Sequence, residues 1–458
     1  MRAHCAGSTL RAMATAADQH GRVFDELIPP LTRPEVLLEA DRCLECAGPH
    51  AVAPCVLACP VSVDVPAFVA ALARDEPEDA ARIVFAENVL GGTCARVCPV
   101  ELLCEGACVL HHERRKPVEI GRLQRFACDT ALSAGSVLRR RAPYNWLRIA
   151  VIGAGPAGLA CAGELAALGY DVTVYDERLE PGGLARYAIA PYRIQRDPLP
   201  AETRVLAELG VHFELGMAVD TPEALAAVGE DADAVVLAVG LGADADVRYP
   251  GDELPGVWES LPFIEAIKTG EAPELGSAVC VIGGGNTAVD VAREAARLGA
   301  DRVTMLYRRT AAEMPAYPHE VAEALDEGVE IEWLTAPVRF LGGARLEAVE
   351  CRRMRLGAPD ETGRARPEVI PGSEVSIPAD TVVKAIGQRP RLEFLRFVEG
   401  LELDHGLVKV DPATGQTGNP RYFSAGDATN GGGTVVEAVR EAKLAAQGVH
   451  AWLSRGWR

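Results

Sequence analysis

The hydrophobic positions between residues 148 and 306 fall into one pattern that occurs twice. Arg148–Ile152 is a short, nearly uninterrupted apolar run, as expected of a strand buried on both faces of a parallel sheet. It leads through glycines into a helical pattern over Leu159–Leu168, then into a second run at Asp171–Tyr175. Ala278–Ile282, a helix ending at Leu298 and the run Arg302–Leu306 repeat that order. Strand–helix–strand units predict a parallel sheet with helices on its faces, hence an α/β class. Tyr422–Ser424 predicts a short strand and Val435–Leu453 a long helix. Upstream, Pro66–Arg74, Pro77–Glu87 and Ile120–Leu132 predict short helices with apolar faces.

Composition narrows the setting. A chain of 458 residues predicts about three domains. Its net charge of −19 argues against nucleic acid or an anionic membrane as partner, because both need clustered Lys and Arg. No span supplies the roughly 20 apolar residues of a membrane helix. The longest candidate, residues 149–163, is broken by Gly and Pro. The first twenty residues carry Arg2 and Arg11 and no acid before Asp18, but no signal-peptide core. They are expected to be an over-extended start before Met13, with a transit peptide as the alternative. The expected location is the cytoplasm.

Thirteen cysteines, ten of them before residue 130, point to ligation rather than disulfides. One group is Cys43, Cys46, Cys55 and Cys59, closed by Pro60; the other is Cys94, Cys98 followed by Pro99, Cys104 and Cys108. A Cys-x2-Cys opening closed by Cys-x3-Cys-Pro is a ferredoxin-type layout, in which the cysteine before proline serves the other cluster of a pair. Two 4Fe–4S clusters with ligands exchanged between groups are therefore expected, with zinc as the alternative. Cys128 is expected in the core, Cys5 in a mobile tail, and His50, His111 and His112 on the surface or in loops.

The glycine loops carry the second chemistry. Gly153-Ala154-Gly155-Pro156-Ala157-Gly158 follows a strand and opens a helix, with Asp176 at the end of the next strand. In a GxGxxG loop the first glycine makes the turn, the second admits a pyrophosphate, and the third lets helix and strand pack closely. The acid then suits a ribose hydroxyl. The second loop, Gly283-Gly284-Gly285-Asn286-Thr287-Ala288, leads to a strand ending in Tyr307-Arg308-Arg309 with no acid. Arginine there suits the 2′-phosphate of NADPH, while NADH remains the alternative. Gly426-Asp427 and Gly431-Gly432-Gly433-Thr434 precede the last helix, where glycines again admit a ligand to backbone amides. The amides near Gly433 and Thr434 are expected to tune the cofactor.

Together these features resemble the two-dinucleotide-binding flavoproteins that include glutathione and thioredoxin reductases. The resemblance implies that the first loop binds FAD, the second NAD(P)H, and the late Gly-Asp the flavin ribityl chain. It implies further cofactor contacts at Gly183, Leu184, Arg193, Val219 and Val435. Ala238-Val239-Gly240 and Ala385-Ile386-Gly387 look like the two connections between the dinucleotide domains. No redox-active cysteine pair is present: Cys161 and Cys280 stand singly.

The stretch from Cys43 to Phe126 is similar to the N-terminal region of dihydropyrimidine dehydrogenase and its small bacterial subunit. The segments that carry the likeness are Cys43-Leu44-Glu45-Cys46, Asn88-Val89-Leu90-Gly91-Gly92-Thr93-Cys94-Ala95-Arg96-Val97-Cys98-Pro99, Cys104-Glu105-Gly106-Ala107-Cys108 and Ile120-Gly121-Arg122-Leu123-Gln124-Arg125-Phe126. The glutamate synthase small subunit is the rival, and the Pro99-to-Cys104 spacing favours the pyrimidine enzyme. Carried over by position, Cys43, Cys46, Cys55 and Cys108 hold one cluster; Cys59, Cys98, Cys104 and Gln124 hold the other, and Cys94 stands by without binding. The Cys46-to-Cys55 loop is longer than usual for the family, and the small bacterial subunit is associated with NAD.

The expected architecture is a helical iron–sulfur domain over 1–145, an FAD domain over 146–266 and 388–458, and an NAD(P)H domain over 267–387 inserted in it, both Rossmann-like. The expected function is an NAD(P)H-oxidising flavin and iron–sulfur electron-transfer subunit. Its partner would be an FMN-containing, substrate-reducing subunit acting on uracil or thymine, since no residues remain for a barrel of about 250 residues. A metal-binding scaffold without catalysis is the alternative of another class.

Overall fold

The computed structural model describes residues 24, 26–46, 51–194, 197–359 and 363–454. Cys5, His50 and the first twenty residues lie outside them. The chain divides into two compact units, with crossings near residues 27, 190, 195, 247 and 386.

The larger unit begins with helices. Arg33–Ala40, Val65–Ala73, Pro77–Glu87, Gly91–Val97 and Ile120–Ala134 form the framework, and the three predicted helices are among them. Asp64 accepts the Ala67 amide at 3.1 Å to start one, and Gly135, with φ +66°, ends another. Phe68, Leu72, Val84, Phe85 and Leu123 are buried between them.

The same unit holds a five-stranded parallel sheet ordered β15-β4-β1-β2-β3. Its strands are β1 (Arg148–Ile152), β2 (Asp171–Asp176), β3 (Val211–Leu215), β4 (Ala234–Leu237) and β15 (Tyr422–Ser424). Helices Pro156–Ala167 and Val435–Ser454 cover one face. One continuous hydrophobic core runs from the N-terminal helices into this sheet, so the helical part and the first α/β part fold as one body rather than two.

The smaller unit repeats the design. β5 (Val257–Glu259), β6 (Ala278–Ile282), β7 (Arg302–Tyr307), β8 (Glu330–Trp333) and β12 (Thr381–Lys384) form a parallel sheet ordered β5-β12-β6-β7-β8. β12 sits beside β6 as β4 sits beside β1. The unit starts at Val247, not at 267 as expected, because β5 pairs with β12 and helix Ser260–Lys268 follows it onto the sheet. Unforeseen in the sequence, β9 (Thr335–Gly342), β10 (Leu346–Pro359) and β11 (Ala365–Pro378) add an antiparallel sheet. Within the larger unit, β13 (Leu403–Asp404) and β14 (Leu407–Val408) make a small hairpin.

Candidate functional site

The cysteines gather into two cavities. Cys43, Cys46, Cys55 and Cys108 wall the first, with Val69 and Ile120 among the apolar lining. Cys59, Cys98, Cys104 and Gln124 wall the second, with Cys94 and Val436. The first holds the four donors that the resemblance implied for one cluster, and the second holds its four together with Cys94, so each draws on both cysteine groups. Local turns set them: the Cys43 amide donates to Ala40 at 3.0 Å, and that of Cys59 to Val56 at 3.2 Å. Cys98 ends helix Gly91–Val97 with an extended backbone (φ −65°, ψ 136°), as the following Pro99 demands. In each cavity the donors surround a space, which fits a cubane. His111 and His112 are exposed and line neither cavity.

Burial raises the thiols of Cys43, Cys59 and Cys104, and that of Cys55 to about 11. Cys98 is raised by a hydrogen bond with the Cys94 thiol and then by burial. A cluster would take such donors as thiolates, so its binding would release their protons. Cys94 is buried beside Cys98 in the same wall as Gln124. The Gln124 carboxamide is held from one side: its Nε2 donates to the Gly91 carbonyl at 2.7 Å, so a ligand bond would have to use Oε1. Cys128 lies in the core, as expected.

In the first glycine loop each position has a steric reason. Gly153 has φ +106°, and a Cβ there would stand 2.3 Å from the Ala238 carbonyl oxygen. At Gly158 it would meet the Gly153 oxygen at 1.9 Å. Gly155 has open space, its nearest neighbour being Gly183 Cα at 3.9 Å, so bare backbone from two loops frames a cradle at the N-terminus of helix Pro156–Ala167. Leu184 begins the short helix after Gly183. Asp176 ends β2 and accepts the amides of Ala154 (2.6 Å) and Arg178 (2.8 Å), so it holds the loop as well as facing it. A carboxylate offers about four lone-pair sites, which leaves capacity for a ribose hydroxyl. Val219 is buried beyond β3.

At the far end, a Cβ on Gly426 would stand 2.8 Å from Ala157 Cβ, so the late Gly-Asp turn abuts the first turn of the loop's helix. Glu441 binds this turn from the last helix, accepting the Gly426 amide at 3.0 Å, a contact the sequence did not reveal. Burial raises the Asp427 carboxyl. The amides expected to tune the cofactor are engaged within the chain: Gly433 donates to Asp427 at 3.2 Å and Thr434 to Glu437 at 2.8 Å. Thr434 and Glu437 form a capping box, and Val435 opens the helix.

The smaller unit carries the second cradle. A Cβ on Gly283 (φ +144°) would meet the Ala385 carbonyl oxygen at 2.1 Å, the counterpart of Gly153 and Ala238. Gly285 is open, Ala288 is buried in the first turn of helix Asn286–Arg297, and Thr287 is exposed there. Asn286 Oδ1 accepts the Tyr317 amide at 3.0 Å. Arg308 is exposed beyond β7, while Arg309 is buried and donates from Nε to Ala365 at 2.9 Å. The expected arginine pair thus separates into one outward cation and one packed into the unit. Arg193, expected as a further cofactor contact, is held within this unit by Asp290 and Glu320, each at 2.8 Å. Ile386 closes the unit, and Gly387 (φ +104°) begins the returning segment. In the larger unit that segment meets the outgoing one at an isolated antiparallel bridge, Asp244 with Gln388: Gly242 donates to Arg389 at 2.7 Å and Ala245 to Gly387 at 2.8 Å.

Comparison with known proteins gives the family of each part of the chain. Residues 147–442 match the family model described as pyridine nucleotide-disulphide oxidoreductase. Residues 20–136 match that of dihydropyrimidine dehydrogenase domain II, 4Fe-4S cluster. The chain is 36% identical over 449 residues to the glutamate synthase [NADPH] small chain of Halomonas elongata, covering 94% of each. It is 35% identical to the NADP(+)-dependent formate dehydrogenase subunit beta of Moorella thermoacetica, covering 89% of this chain and 61% of that one. The fold matches FprA of Mycobacterium tuberculosis in complex with NADPH, with a TM-score of 0.57 at 20% identity, over 69% of this chain and 85% of that one. No helix among the described residues is long and apolar enough to cross a membrane. The chain therefore belongs to the pyridine nucleotide-disulphide oxidoreductase family, alongside the glutamate synthase small chains, and is an NAD(P)H-dependent FAD and iron–sulfur oxidoreductase.

Proposed function

We propose that the chain is the electron-entry subunit of a larger oxidoreductase, oxidising NADPH and feeding a partner subunit that reduces the substrate. The observation that carries this is the wall of the second cavity. Val436, in the first turn of helix Val435–Ser454, lines it beside Cys59, Cys98, Cys104 and Gln124. The same helix, through Glu441, binds the Gly426–Asp427 turn of the flavin cradle. One helix thus connects the cradle to the second cluster site.

FAD accepts a hydride and gives up single electrons, which iron–sulfur clusters carry onward. The chain's residues bind and orient. Gly153, Gly155, Pro156, Ala157, Gly158 and Asp176 would hold the FAD pyrophosphate and ribose, with Gly183, Leu184, Gly426, Asp427 and Thr434 along the rest. Gly283, Gly285, Asn286 and Thr287 would take the nicotinamide cofactor, and Arg308 its 2′-phosphate. Cys43, Cys46, Cys55 and Cys108 would hold one 4Fe–4S cluster; Cys59, Cys98, Cys104 and Gln124 the other.

The test is a reductive titration of the iron-loaded chain with NADPH, followed by flavin absorbance and low-temperature EPR. Flavin bleaching with two cluster signals, completed by a stronger reductant where potentials are low, is expected. Full reduction that reveals no cluster signal would refute the relay.

The relatives' names favour a glutamate synthase type of partner. The Pro99-to-Cys104 spacing favours the second reading, an FMN-containing pyrimidine-reducing partner. NADPH-dependent glutamate formation from glutamine and 2-oxoglutarate with an amidotransferase partner, against NADPH-dependent uracil reduction with an FMN partner, separates the two.

A further inference from the structure

Glu202 lies on helix Leu199–Glu208 and is wholly enclosed, with 0% of its surface exposed. Its Oε1 accepts the amides of Gly92 at 2.7 Å and Thr93 at 3.1 Å, and its Oε2 accepts the Thr93 hydroxyl. These groups start helix Gly91–Val97, whose own N-cap residue, Leu90, has no side chain that can cap it. A carboxylate from a distant helix takes that place. Burying a charged group is costly, and a Ser or Asp at position 90 would cap the helix more cheaply. The arrangement calls for a reason beyond capping.

The reason lies on the other side of one peptide bond. The Gly92 N–H and the Gly91 carbonyl belong to the same peptide group. That carbonyl accepts from Gln124 Nε2 at 2.7 Å, and Gln124 walls the second cluster cavity. A continuous chain therefore runs from the Glu202 carboxylate, through one peptide, to the Gln124 carboxamide. Hydrogen bonds in series polarise one another, and partners of this kind fix a ligand's orientation and strengthen its donor atom. A Cβ on Gly92 would stand 3.1 Å from Glu202 Oε1 and 3.2 Å from Pro198 Cβ, so the bare backbone permits the approach. Arg96, buried and paired with Asp129 at 2.7 Å, donates to the Gly92 carbonyl at 3.0 Å and places a cation near the carboxylate.

We propose that Glu202 is a positioning residue for the second cluster, acting through the Gly91–Gly92 peptide to orient Gln124 and raise the donor strength of its Oε1. The inference rests on the reading of Gln124 as a ligand.

The experiment uses the full iron- and FAD-loaded chain. Glu202→Gln and Thr93→Val are compared with wild type by iron per chain, EPR and redox titration of each cluster. The expected result is an altered EPR signature and a shifted midpoint for the second cluster alone, larger for Glu202→Gln than for Thr93→Val. The first cluster and the FAD content serve as internal references. Full iron content with both signals and both midpoints unchanged in the two variants would overturn the proposal. If Glu202→Gln does not fold, Thr93→Val decides by the same criterion. Gln124→Ala and Cys94→Ser test the underlying reading separately. Loss of the second cluster in Cys94→Ser, with an unaltered signal in Gln124→Ala, would show that the ligand is Cys94, whatever Glu202 does.

Discussion

At the scale of single residues, the two arginines after β7 show how neighbours divide a task. Arg308 is exposed and Arg309 is buried; both lie in the bend past β7, whose residues 303–307 are all buried, and the bend turns one side chain out and packs the other in. Replacing Arg308 by Ala is expected to raise KM for NADPH about 10- to 100-fold, from the loss of roughly 1.5–3 kcal/mol of charge-assisted hydrogen bonding. KM for NADH should stay near wild type, and steady-state kinetics with both cofactors checks this. Arg309→Ala should instead lower thermal stability, by about 1–3 kcal/mol for the buried partner it abandons. The paired arginines were legible in the sequence but their division was not, because the strand before them is buried on both faces and sets no alternation for them to follow. Glu202 and Glu441 left no such signal, because each acts on a backbone amide far away in sequence, and one acid in a helix looks like any other.

Among the elements, the glycine loops were the most legible part because sterics leave few alternatives. The first loop separates stability from binding. Gly155 has φ −73° and open space around it, so Gly155→Ala should fold as wild type yet lose FAD. Gly158→Ala places a Cβ 1.9 Å from the Gly153 oxygen and should cost about 1–3 kcal/mol of stability as well. Flavin content and urea denaturation of the two variants read the difference. The antiparallel sheet of β9, β10 and β11 was illegible for a physical reason. Register shifts at Arg352/Met354, Leu346/Ala348 and Glu350/Cys351 break the period of two, so Leu346, Val349, Cys351 and Met354 are buried at uneven spacing.

Across the whole molecule, the twofold repetition of strand, glycine loop and helix announced two nucleotide-binding sheets. Their borders were less visible, because the apolar faces of the N-terminal helices and of the first sheet join in one core that no composition change marks. That joining has a calorimetric consequence. Removing iron with a chelator should lower the melting transition in which the flavin is released, and leave the transition of the Val247–Ile386 unit in place; scanning calorimetry with flavin fluorescence distinguishes them. The bridged segments at 242–245 and 387–389 have a consequence of another kind. The host chain leaves for the nicotinamide unit and comes back at neighbouring backbone positions, Ala245 and Gly387, so the gap between departure and return is a single hydrogen bond of 2.8 Å. An excursion with coincident ends is a cassette: it can be lifted out, or exchanged for one that reads a different reductant, without stretching the frame that holds flavin and iron. The graft must respect two tethers, the Tyr192–Arg193 segment gripped by Asp290 and the stretch around Phe24 and Leu27, which would have to travel with the cassette.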